Sequence, residues 1–377
     1  MSGDPHYTHG MGTGLEAPSW PAITREEAEA VLARFPDAGR LQALDWHSPR
    51  PFSSAALAHT DRGELFLKRH SARLRSPAGL ADEHAFIAHL AAAGQNVADL
   101  LVADTGATAL AIGDWTWEIH RKAVGFDLYR DRQSWTPFLT LDHARGAGAA
   151  LARLHLAARG FDAPARPVQP LVASLSILTA CDPLTAARVY VAARPGLAAY
   201  LAGRDWEREL AEMFATLGAD ALAPDLAAQP SLWTHNDWHP SNLLWSEAGE
   251  VATVLDFGLA DRTCALHDLA TALERVAVRW LEIGGDAPIA EPEAALALLS
   301  GYGSVLPLTA ADRALLARLL PLVHVEFAMS EADYFHGVLG RAQDADLAWD
   351  GFLLGHGAWF TGDEGRALLA LIQESRL

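Results

Sequence analysis

The hydrophobic pattern changes character once along the chain, and this change constrains the fold more than any other sequence feature. Between residues 25 and 120, short apolar stretches alternate with glycine-containing turns, a pattern typical of a small sheet with one or two helices. Beyond residue 120, apolar residues recur mostly at helical spacing, interrupted by one short β element at 232–257. The sequence therefore predicts an α+β protein with a small sheet-rich part followed by a large helical part.

Local signals predict individual elements within these two parts. Thr24 and Glu27 form a capping box ahead of a helical apolar period, 57–68 predicts a β-hairpin, and 80–93 predicts an amphipathic helix. Further strands are predicted at 100–103, 108–112, 115–120, 232–234, 243–246 and 251–257. Further helices are predicted at 141–158, 184–201, 206–217, 266–283, 293–299 and 310–329.

Composition excludes several functional classes. Half of the residues are apolar and a fifth are charged, so the chain can bury enough surface to fold unaided. With 29 basic and 47 acidic residues the formal net charge is −18, which disfavours binding to nucleic acid or to anionic membranes and favours cationic small molecules or Mg²⁺. The two cysteines, Cys181 and Cys264, are predicted to be reduced, buried thiols.

Targeting and membrane signals are weak in this sequence. Residues 1–16 are rich in Gly and His and lack the apolar segment of a signal peptide. A charged Arg318 and a Pro321 interrupt the longest apolar candidate for a membrane span. We therefore expect a soluble, cytoplasmic protein without membrane or nucleic-acid partners.

Chemically distinctive residues concentrate in the octet 235–242, His-Asn-Asp-Trp-His-Pro-Ser-Asn, which lies between two predicted strands. Asp237 and Asn242 should lie beside Asp256, which ends the following strand, at one end of a hairpin. Carboxylate and amide oxygens near a further carboxylate suit octahedral Mg²⁺ with phosphate ligands. Asp and Asn also close ordinary turns, but two of the three asparagines of the chain fall in this octet, which favours a site.

Lys68 is one of only two lysines in an arginine-rich chain, and it lies in an apolar strand. Such a position favours a compact ammonium over a planar guanidinium. Glu83 follows within a predicted helix, and a strand lysine paired with a helix glutamate is how kinases hold the lysine on the α- and β-phosphates. A surface lysine and a solvated glutamate are the alternative. The loops downstream favour the pair, whereas Lys122 is expected to be exposed or near the connection between the two parts.

The octet resembles the His-x-Asp-x-x-x-x-Asn loop of the aminoglycoside phosphotransferase and choline kinase family. The Asp-Phe-Gly at 256–258 is similar to the metal-binding segment of that family, and the His-Asp-Leu-Ala at 267–270 to the Asp-Leu-Ala that opens its next helix. The resemblance runs from about residue 41 to the C-terminal helices. It implies a protein-kinase-like fold with two lobes and ATP held between them.

The resemblance also implies a role for each matching residue. Asp237 matches the catalytic aspartate, Asn242 and Asp256 match the Mg²⁺ ligands, and Lys68 matches the phosphate-binding lysine with Glu83 as its ion-pair partner.

Other matches concern support and boundaries. His235 and Asp268 match residues that brace the catalytic loop. The segment 118–122, including Glu118 and His120, matches the hinge whose backbone meets the adenine. The expected organisation is a flexible tail at 1–20, an N-lobe at 21–120 and a C-lobe at 121–377.

Two departures from the family pattern concern backbone flexibility. The family loop often has glycine where this chain has Asn236, a mild change because Asn tolerates unusual backbone angles. The predicted phosphate-covering loop at 47–54 contains no glycine, so Ser53 and Ser54 are the candidate donors to the phosphates.

The acceptor is predicted to be a small molecule. Only eight residues separate Gly258 from His267, and no Ala-Pro-Glu segment follows, whereas a protein kinase has a much longer segment there to dock its peptide. Acidic and aromatic groups, of a kind that commonly line the acceptor pocket in this family, cluster on one C-terminal helix: Glu326, Glu331, Asp333 and Tyr334. They suit an amine-bearing alcohol or sugar, although a solvated helix face is the alternative for each.

These observations predict an ATP- and Mg²⁺-dependent kinase that phosphorylates a small hydroxylated metabolite or antibiotic. The acidic groups of the C-terminal helix suit an acceptor that carries an amine. A catalytically silent, kinase-like protein that binds nucleotide or a partner is the alternative, mildly favoured by the missing glycines. A protein kinase is a third interpretation, which the short segment after Gly258 disfavours.

Overall fold

The structure is a computed structural model that describes residues 6–12 and 14–375. The strands are β1 (Thr8–His9), β2 (Leu15–Glu16), β3 (Leu41–His47), β4 (Ser54–Thr60), β5 (Gly63–Ser71), β6 (Asp99–Leu100), β7 (Ala109–Ile112), β8 (Trp115–Arg121), β9 (Ser231–Thr234), β10 (Leu243–Trp245), β11 (Val251–Val254) and β12 (Asp261–Cys264).

The α-helices are α1 (Arg25–Leu32), α2 (Pro77–Ala92), α3 (Leu141–Ala157), α4 (Pro183–Ala192), α5 (Pro195–Leu201), α6 (Trp206–Leu217), α7 (Ala223–Ala227), α8 (Ala265–Val276), α9 (Pro292–Gly303), α10 (Ala310–Leu319), α11 (Val325–Asp333), α12 (Ala342–Asp346), α13 (His356–Phe360) and α14 (Asp363–Glu374). Short 3₁₀ turns lie at Ala219–Ala221, Pro240–Asn242, Trp280–Glu282 and Leu320–Leu322, and π-helical turns at Tyr334–Val338 and Leu347–Gly355. The predicted α+β architecture, sheet-rich first and helical after, is confirmed.

The first part of the chain is built on an antiparallel sheet with the strand order β3-β4-β5-β8-β6, and β7 also pairs with β8. β4 and β5 form the predicted hairpin, in which Thr60 lies opposite Gly63. The sequence analysis did not predict β3. Across β5 and β8, Lys68 lies opposite Glu118. This register places the carboxylate of Glu118 beside Lys68 within the sheet.

Two helices flank this sheet, and both begin with side-chain caps. The predicted capping box of α1 is confirmed, since the Glu27 amide donates to Thr24 Oγ1 (3.2 Å) and the Thr24 amide donates to Glu27 Oε2 (2.8 Å). In α2 the buried positions include Leu80, Glu83 and Ile87. Because these positions share one helix face, Glu83 points inward with the apolar residues.

The helical part is organised around the close packing of α3 against α9. A Cβ added at Gly148 would overlap the carbonyl of Leu298, and one added at Gly301 would overlap the carbonyl of Arg145, so the two backbones touch where neither helix carries a side chain. This approach brings the His155 Nδ1 of α3 to 2.9 Å from the hydroxyl of Tyr302 on α9.

Two small ribbons lie where the two parts meet. β10 pairs with β11, and β9 pairs with β12. The sequence analysis did not predict the strand β12. The predicted strand at 251–257 ends at Val254, because Asp256 has a φ of +54°. The Val254 amide donates to Asn96 O (3.0 Å), which ties the ribbon to the sheet-rich part.

Proline explains where predicted helices are divided. The predicted helix 184–201 is split into α4 and α5 at Pro195, and the helix predicted at 310–329 is interrupted by a turn that contains Pro321. Proline lacks the amide hydrogen that a helix interior needs, and its ring clashes with the preceding turn. The helix predicted at 266–283 ends at Val276.

The described residues of the N-terminal segment make defined contacts with both parts. The His9 amide donates to Pro49 O (2.8 Å), and Trp20 Nε1 donates to the Tyr334 hydroxyl (3.1 Å). Residues 1–5 and 13 lie outside the described residues.

Two further expectations concern the cysteines and the membrane. Cys264 is buried as predicted, but Cys181 is exposed, because it lies in the turn just before α4. Within residues 6–12 and 14–375, every helix is too short or too polar to cross a bilayer.

Candidate active site

The loop after β9 has an unusual backbone that its own side chains support. Asn236 has a φ of +59°, in the left-handed region that Asn tolerates better than most residues. Its Oδ1 accepts hydrogen bonds from the hydroxyls of Thr234 (2.9 Å) and Thr263 (3.2 Å), and its Nδ2 donates to Leu259 O (3.3 Å). Asn therefore fills a position where the related loops often have glycine, and it adds hydrogen bonds that glycine could not make.

Asp268, in the first turn of α8, contacts the same loop from the core. Its carboxylate accepts hydrogen bonds from the backbone amides of His235 and Asn236, both at 2.8 Å. His155 Nε2 lies 3.0 Å from the same carboxylate. Burial alone would raise the pKa of Asp268, but these hydrogen bonds, that of His155 above all, lower it. A charged, buried Asp268 thus fixes the backbone that leads into Asp237.

Asp237 is surrounded by donors and cations. Its Oδ2 accepts a hydrogen bond from Asn242 Nδ2 (3.0 Å) and lies 3.4 Å from His239 Nε2. Arg275 Nη2 lies 3.5 Å from Oδ1. Burial would raise the pKa of Asp237, but His239, Arg275 and His235 outweigh burial and lower it. Asp237 is therefore ionised at neutral pH.

Asp256 follows β11 directly and faces Lys68. Its Oδ1 accepts a hydrogen bond from Lys68 Nζ (3.0 Å) and a longer one from the Gly258 amide (3.3 Å). The Leu255 amide donates to Asn242 O (2.8 Å), so the two loops that carry Asn242 and Asp256 are bonded to each other. The cleft environment opposes ionisation of Asp256, but Lys68 lowers its pKa.

Lys68 therefore connects the sheet to the ribbon. Its Nζ also lies 3.8 Å from Glu118 Oε1. Burial would lower the pKa of Lys68, but the charges of Asp256, Glu118 and Glu83 outweigh burial and raise it. Lys68 is therefore a permanent cation in the cleft.

The carboxylate nearest to Lys68 on the sheet side belongs to Glu118 rather than to Glu83, which corrects the predicted pairing. Glu83 Oε2 lies 3.3 Å from Arg166 Nη2. Arg166 is buried and also donates to Gly258 O (3.1 Å), so a nearby anion compensates a guanidinium that water cannot reach. Glu118 takes the position beside Lys68 because the two residues are paired across β5 and β8.

Glu118 is itself enclosed by three histidines. His84 Nε2 lies 2.6 Å, His70 Nε2 3.1 Å and His120 Nε2 3.5 Å from its carboxylate. Burial would raise the pKa of Glu118, but these neighbours, beginning with His120, hold it well below its usual range. Glu118 is thus a fixed anion on a rigid strand.

Two cavities open on either side of this group of residues. The sheet-side cavity has apolar walls, which include Trp46, Ala55, Leu57, Phe66, Leu244 and Leu255. The helix-side cavity is lined by Asp237, His239 and, among others, Trp135, Arg275, Phe327, Glu331 and Phe352. Five residues line both cavities and define what we call the junction: Arg50, Ser53, Lys68, Asn242 and Asp256.

The predicted phosphate and hinge residues fall in different places. Ser53 lies at the junction, whereas Ser54 begins β4, is buried and donates to Pro21 O (2.7 Å). Glu118 and His120 line the sheet-side cavity, but both lie within β8, which is paired on both sides. After β8 the chain continues along this cavity, where the Lys122 amide donates to Glu64 O (3.0 Å) and Val124 O accepts from Thr253 Oγ1 (2.7 Å). The backbone groups of Ala123 and Gly125 have no hydrogen-bond partner among the described residues.

Of the four candidate acceptor residues, only Glu331 lines the helix-side cavity. Glu326 accepts hydrogen bonds from Ser176 Oγ (3.0 Å) and from the Ile177 amide (2.6 Å), so it fastens an irregular segment to α11. Asp333 accepts from the Leu197 amide (2.8 Å), and Tyr334 is buried against Trp20. A helix presents different faces to different neighbours, which is why this cluster does not act as one surface.

Three basic side chains near the site were missed from the sequence. Arg50 lies at the junction and donates to Arg132 O and to Ser134 Oγ, both at 3.0 Å. His239 and Arg275 contact Asp237. The signal for His239 was its place inside the octet, and the signal for Arg50 was its place in the glycine-free loop; no local pattern marks Arg275.

The oxygen atoms at the junction fit a divalent cation. Asn242 uses its amide nitrogen on Asp237, and neither Asn242 Oδ1 nor Asp256 Oδ2 accepts a hydrogen bond from a described residue. One amide and one carboxylate oxygen, with room left for phosphate oxygens and water, are typical of Mg²⁺ in nucleotide sites.

The match to known proteins agrees with this geometry. Residues 50–315 match the phosphotransferase enzyme family, and the chain belongs to this family. Homoserine kinases are among its curated relatives, and that of Caulobacter sp. (strain K31) is 34% identical over 46% of this chain and 47% of its own length. The chain thus spans about half the length of the curated relatives it matches.

Solved structures give the fold. The amicoumacin kinase hAmiN, whose structure contains AMP-PNP, Ca²⁺ and Ami, is 15% identical, with a TM-score of 0.57 over 87% of this chain and 94% of that one. A microcompartment-associated aminopropanol kinase is 19% identical, with a TM-score of 0.52 over 88% of this chain and 98% of that one. The predicted two-lobe kinase fold is confirmed.

Proposed function

We propose that this protein transfers the γ-phosphate of ATP to a hydroxyl group of a small, amine-bearing molecule. The observation that carries the proposal is the junction, where Lys68, Asn242 and Asp256 stand between two cavities. Asp237 lines only the helix-side cavity. A donor and an acceptor held in the two cavities would therefore meet next to Asp237.

The sheet-side cavity is proposed to hold ATP. Its apolar walls suit a purine ring, and the backbone groups of Ala123 and Gly125 are free to bond the ring edge. Lys68 would contact the phosphates, as a strand lysine does in kinases. Arg50 supplies a second cation from a loop without glycine, so this chain would hold the phosphates by charge where kinases use a glycine-rich backbone.

Asn242 and Asp256 are proposed to hold Mg²⁺. When bound, the ion would supply positive charge to the β- and γ-phosphate oxygens, which phosphoryl transfer requires. Lys68 keeps Asp256 ionised, and the Asn242 amide is oriented by Asp237, so both oxygens are prepared for this task.

Asp237 is proposed as the catalytic residue. It would accept a hydrogen bond from the acceptor hydroxyl, hold this group in line with the γ-phosphate, and take its proton late. A carboxylate with a lowered pKa suits this role, because a loose transition state needs orientation of the nucleophile more than a strong base. His235 and Asp268 would position Asp237 through the loop backbone.

A small acceptor is supported by the chain between Gly258 and His267, half of which pairs as β12 with β9 before α8 begins at Ala265. Little of this segment is left to dock a peptide. The names of the relatives, homoserine kinase and aminopropanol kinase, also refer to small hydroxylated amines. Metabolites and antibiotics both remain within the proposal.

A screen for ATP consumption with and without Mg²⁺ tests the proposal. Aminoglycosides, amino sugars, choline-like alcohols, hydroxy amino acids and nucleosides are the acceptors to compare. We expect Mg²⁺-dependent turnover with at least one class. Nucleotide binding without turnover for every class would favour the catalytically silent alternative, and labelling of a generic protein mixture by radioactive ATP would favour a protein kinase.

A further inference from the structure

We infer that the acceptor carries a carboxylate as well as an amine, and that Arg275 binds this carboxylate. The inference rests on the proposed function and deepens it, because it selects hydroxy amino acids from among the small amine-bearing alcohols.

Arg275 is a buried cation whose hydrogen-bonding capacity is not used. It lies in the last turn of α8, is 1% exposed and lines the helix-side cavity. Its Nε and Nη1 atoms have no hydrogen-bond partner among the described residues. A guanidinium offers five donors in a planar fork, and buried polar groups are normally hydrogen-bonded. The fork therefore has donors left for a ligand.

The surroundings of Arg275 hold its guanidinium without satisfying these donors. Its Cζ lies 4.4 Å from the ring centre of Trp135 and 4.8 Å from that of Phe327, distances typical of cation–π contacts. The nearest carboxylate oxygens, those of Asp237 at 3.5 Å and of Glu274 at 3.9 Å, are ion-pair neighbours beyond good hydrogen-bond length. A ligand carboxylate that reaches the guanidinium from the cavity would supply the planar, bidentate partner that these donors lack.

Glu331 supplies the complementary group in the same cavity. Its Oε2 is buried without a hydrogen-bond partner among the described residues, 3.8 Å from His324 Nε2. Burial raises the pKa of Glu331 to about 8. An ammonium group placed beside Glu331 would stabilise its ionised form. A hydroxyl at Asp237, a carboxylate at Arg275 and an amine at Glu331 would together recognise a hydroxy amino acid.

A matched set of acceptors isolates the carboxylate. L-homoserine, 3-aminopropan-1-ol and 4-hydroxybutanoate share a primary alcohol, and the second and third compounds lack the carboxylate and the amine of the first, respectively. We expect the wild-type protein to favour homoserine over 3-aminopropan-1-ol in kcat/KM by roughly 10- to 100-fold, the value of a charge-assisted hydrogen-bond pair.

The variants Arg275→Gln and Arg275→Lys assign this preference to the guanidinium. Arg275→Gln should raise the KM for homoserine and bring the homoserine to 3-aminopropan-1-ol ratio to within about threefold of one, whereas Arg275→Lys should keep part of the preference. Arg69→Lys is the matched control, because Arg69 is equally buried, lies 4.0 Å from the Trp115 ring centre and lines neither cavity. It should leave the ratio unchanged.

Each alternative outcome has a distinct meaning. If wild-type protein uses 3-aminopropan-1-ol as well as homoserine, or if the acceptor screen finds transfer only to compounds without a carboxylate, the inference is overturned and the proposed function stands. Equal losses with both substrates in Arg275→Gln would also overturn it, since Arg275 would then only position Asp237. Absence of Mg²⁺-dependent transfer to every acceptor overturns the proposed function and the inference with it.

Discussion

The two cavities that meet at the junction are built in different ways. The sheet-side cavity includes side chains from β3, β4, β5 and β8 of one sheet and from β10, and the strand register fixes these side chains relative to one another. The helix-side cavity gathers residues from the N-terminal segment, from 133–135, from α8, from α11 and from the π-helical turn after α12. A rigid sheet would suit a phosphate donor that is always the same. The separate segments around the helix-side cavity can change independently in sequence, which would suit different acceptors.

The electrostatics of the two cavities also differ. On the sheet side, Lys68 has ionised partners in Asp256 and Glu118. On the helix side, Glu331 has a pKa of about 8 because of burial, while burial of Glu274 is outweighed by His324 and other neighbours that lower its pKa to about 2. The charge of Lys68 is thus balanced before any ligand binds, and the helix-side cavity contains in Glu331 a carboxyl group that a ligand can ionise.

The largest expected effect separates chemistry from nucleotide binding. Asp237→Asn keeps the shape of the side chain but removes the carboxylate that would accept the acceptor proton, so kcat should fall by about 10²- to 10⁴-fold. Nucleotide affinity should stay within about twofold, because Asp237 lines only the helix-side cavity. Coupled ATP-consumption assays and fluorescence titration with an ATP analogue measure the two quantities. A parallel loss of both would contradict the separation of the cavities.

Lys68→Met tests the opposite side of the junction. Loss of the ammonium leaves Asp256 and Glu118 without their shared cation and removes a phosphate contact, so nucleotide affinity should fall by roughly 10- to 100-fold. Arg62→Met removes a charge at the exposed turn between β4 and β5 and is the control, for which we expect no change. Calorimetric titration measures the nucleotide affinity of both variants. Unaltered nucleotide binding in Lys68→Met would contradict the assignment of the sheet-side cavity to ATP.

Glu331→Gln tests the electrostatic difference between the cavities through pH. The pKa of Glu331 is raised from 4.5 to about 8 by burial, so the folded state favours its protonated form. The stability from this preference is present below pH 4.5 and is lost as pH rises to about 8. Glu331→Gln should remove this loss and be more stable than wild type above pH 8, by on the order of a few kcal/mol.

Thermal unfolding of both proteins from pH 5 to pH 9 measures this effect, with Glu293→Gln on the exposed face of α9 as the control. Parallel stability curves for wild type and Glu331→Gln would show that the carboxyl group is ionised without cost, contrary to our account of the helix-side cavity.

The smallest expected effect concerns the loop that serves both cavities. Asn236→Ala and Asn236→Gly both remove the amide hydrogen bonds, but only alanine adds strain at the φ of +59°. Asn236→Ala should therefore be the less stable of the two by about 1 kcal/mol. Urea denaturation compares them, and equal stabilities would indicate that the loop relaxes out of the left-handed region.

The proximity of Asp237, Asn242 and Asp256 could be predicted from the sequence because their geometry is local. Asp237 and Asn242 lie in one octet, and Asp256 is one hairpin away, so strand pairing alone brings them together. The sequence could not predict that the sheet places Glu118 rather than Glu83 beside Lys68, since this depends on the register between β5 and β8. The fold class followed from periodicity, but β3 and β12 lack the apolar alternation that would have marked them.

The acceptor side was less predictable for the same physical reason. The environment of Arg275 is formed by Trp135 and Phe327, which lie 140 and 52 residues away along the chain. Four residues of the C-terminal helix were predicted to line the acceptor pocket, and only Glu331 faces it, because the others hold neighbouring segments. Contacts between separate segments are set by packing, which no local pattern encodes.

The most direct test of the junction is a crystal structure with Mg²⁺ and a non-hydrolysable ATP analogue. We expect the purine in the sheet-side cavity, the phosphates against Lys68 and Arg50, the ion on Asn242 and Asp256, and the γ-phosphate facing Asp237. A purine bound in the helix-side cavity, or phosphates that make no contact with Lys68, would contradict the proposed mechanism.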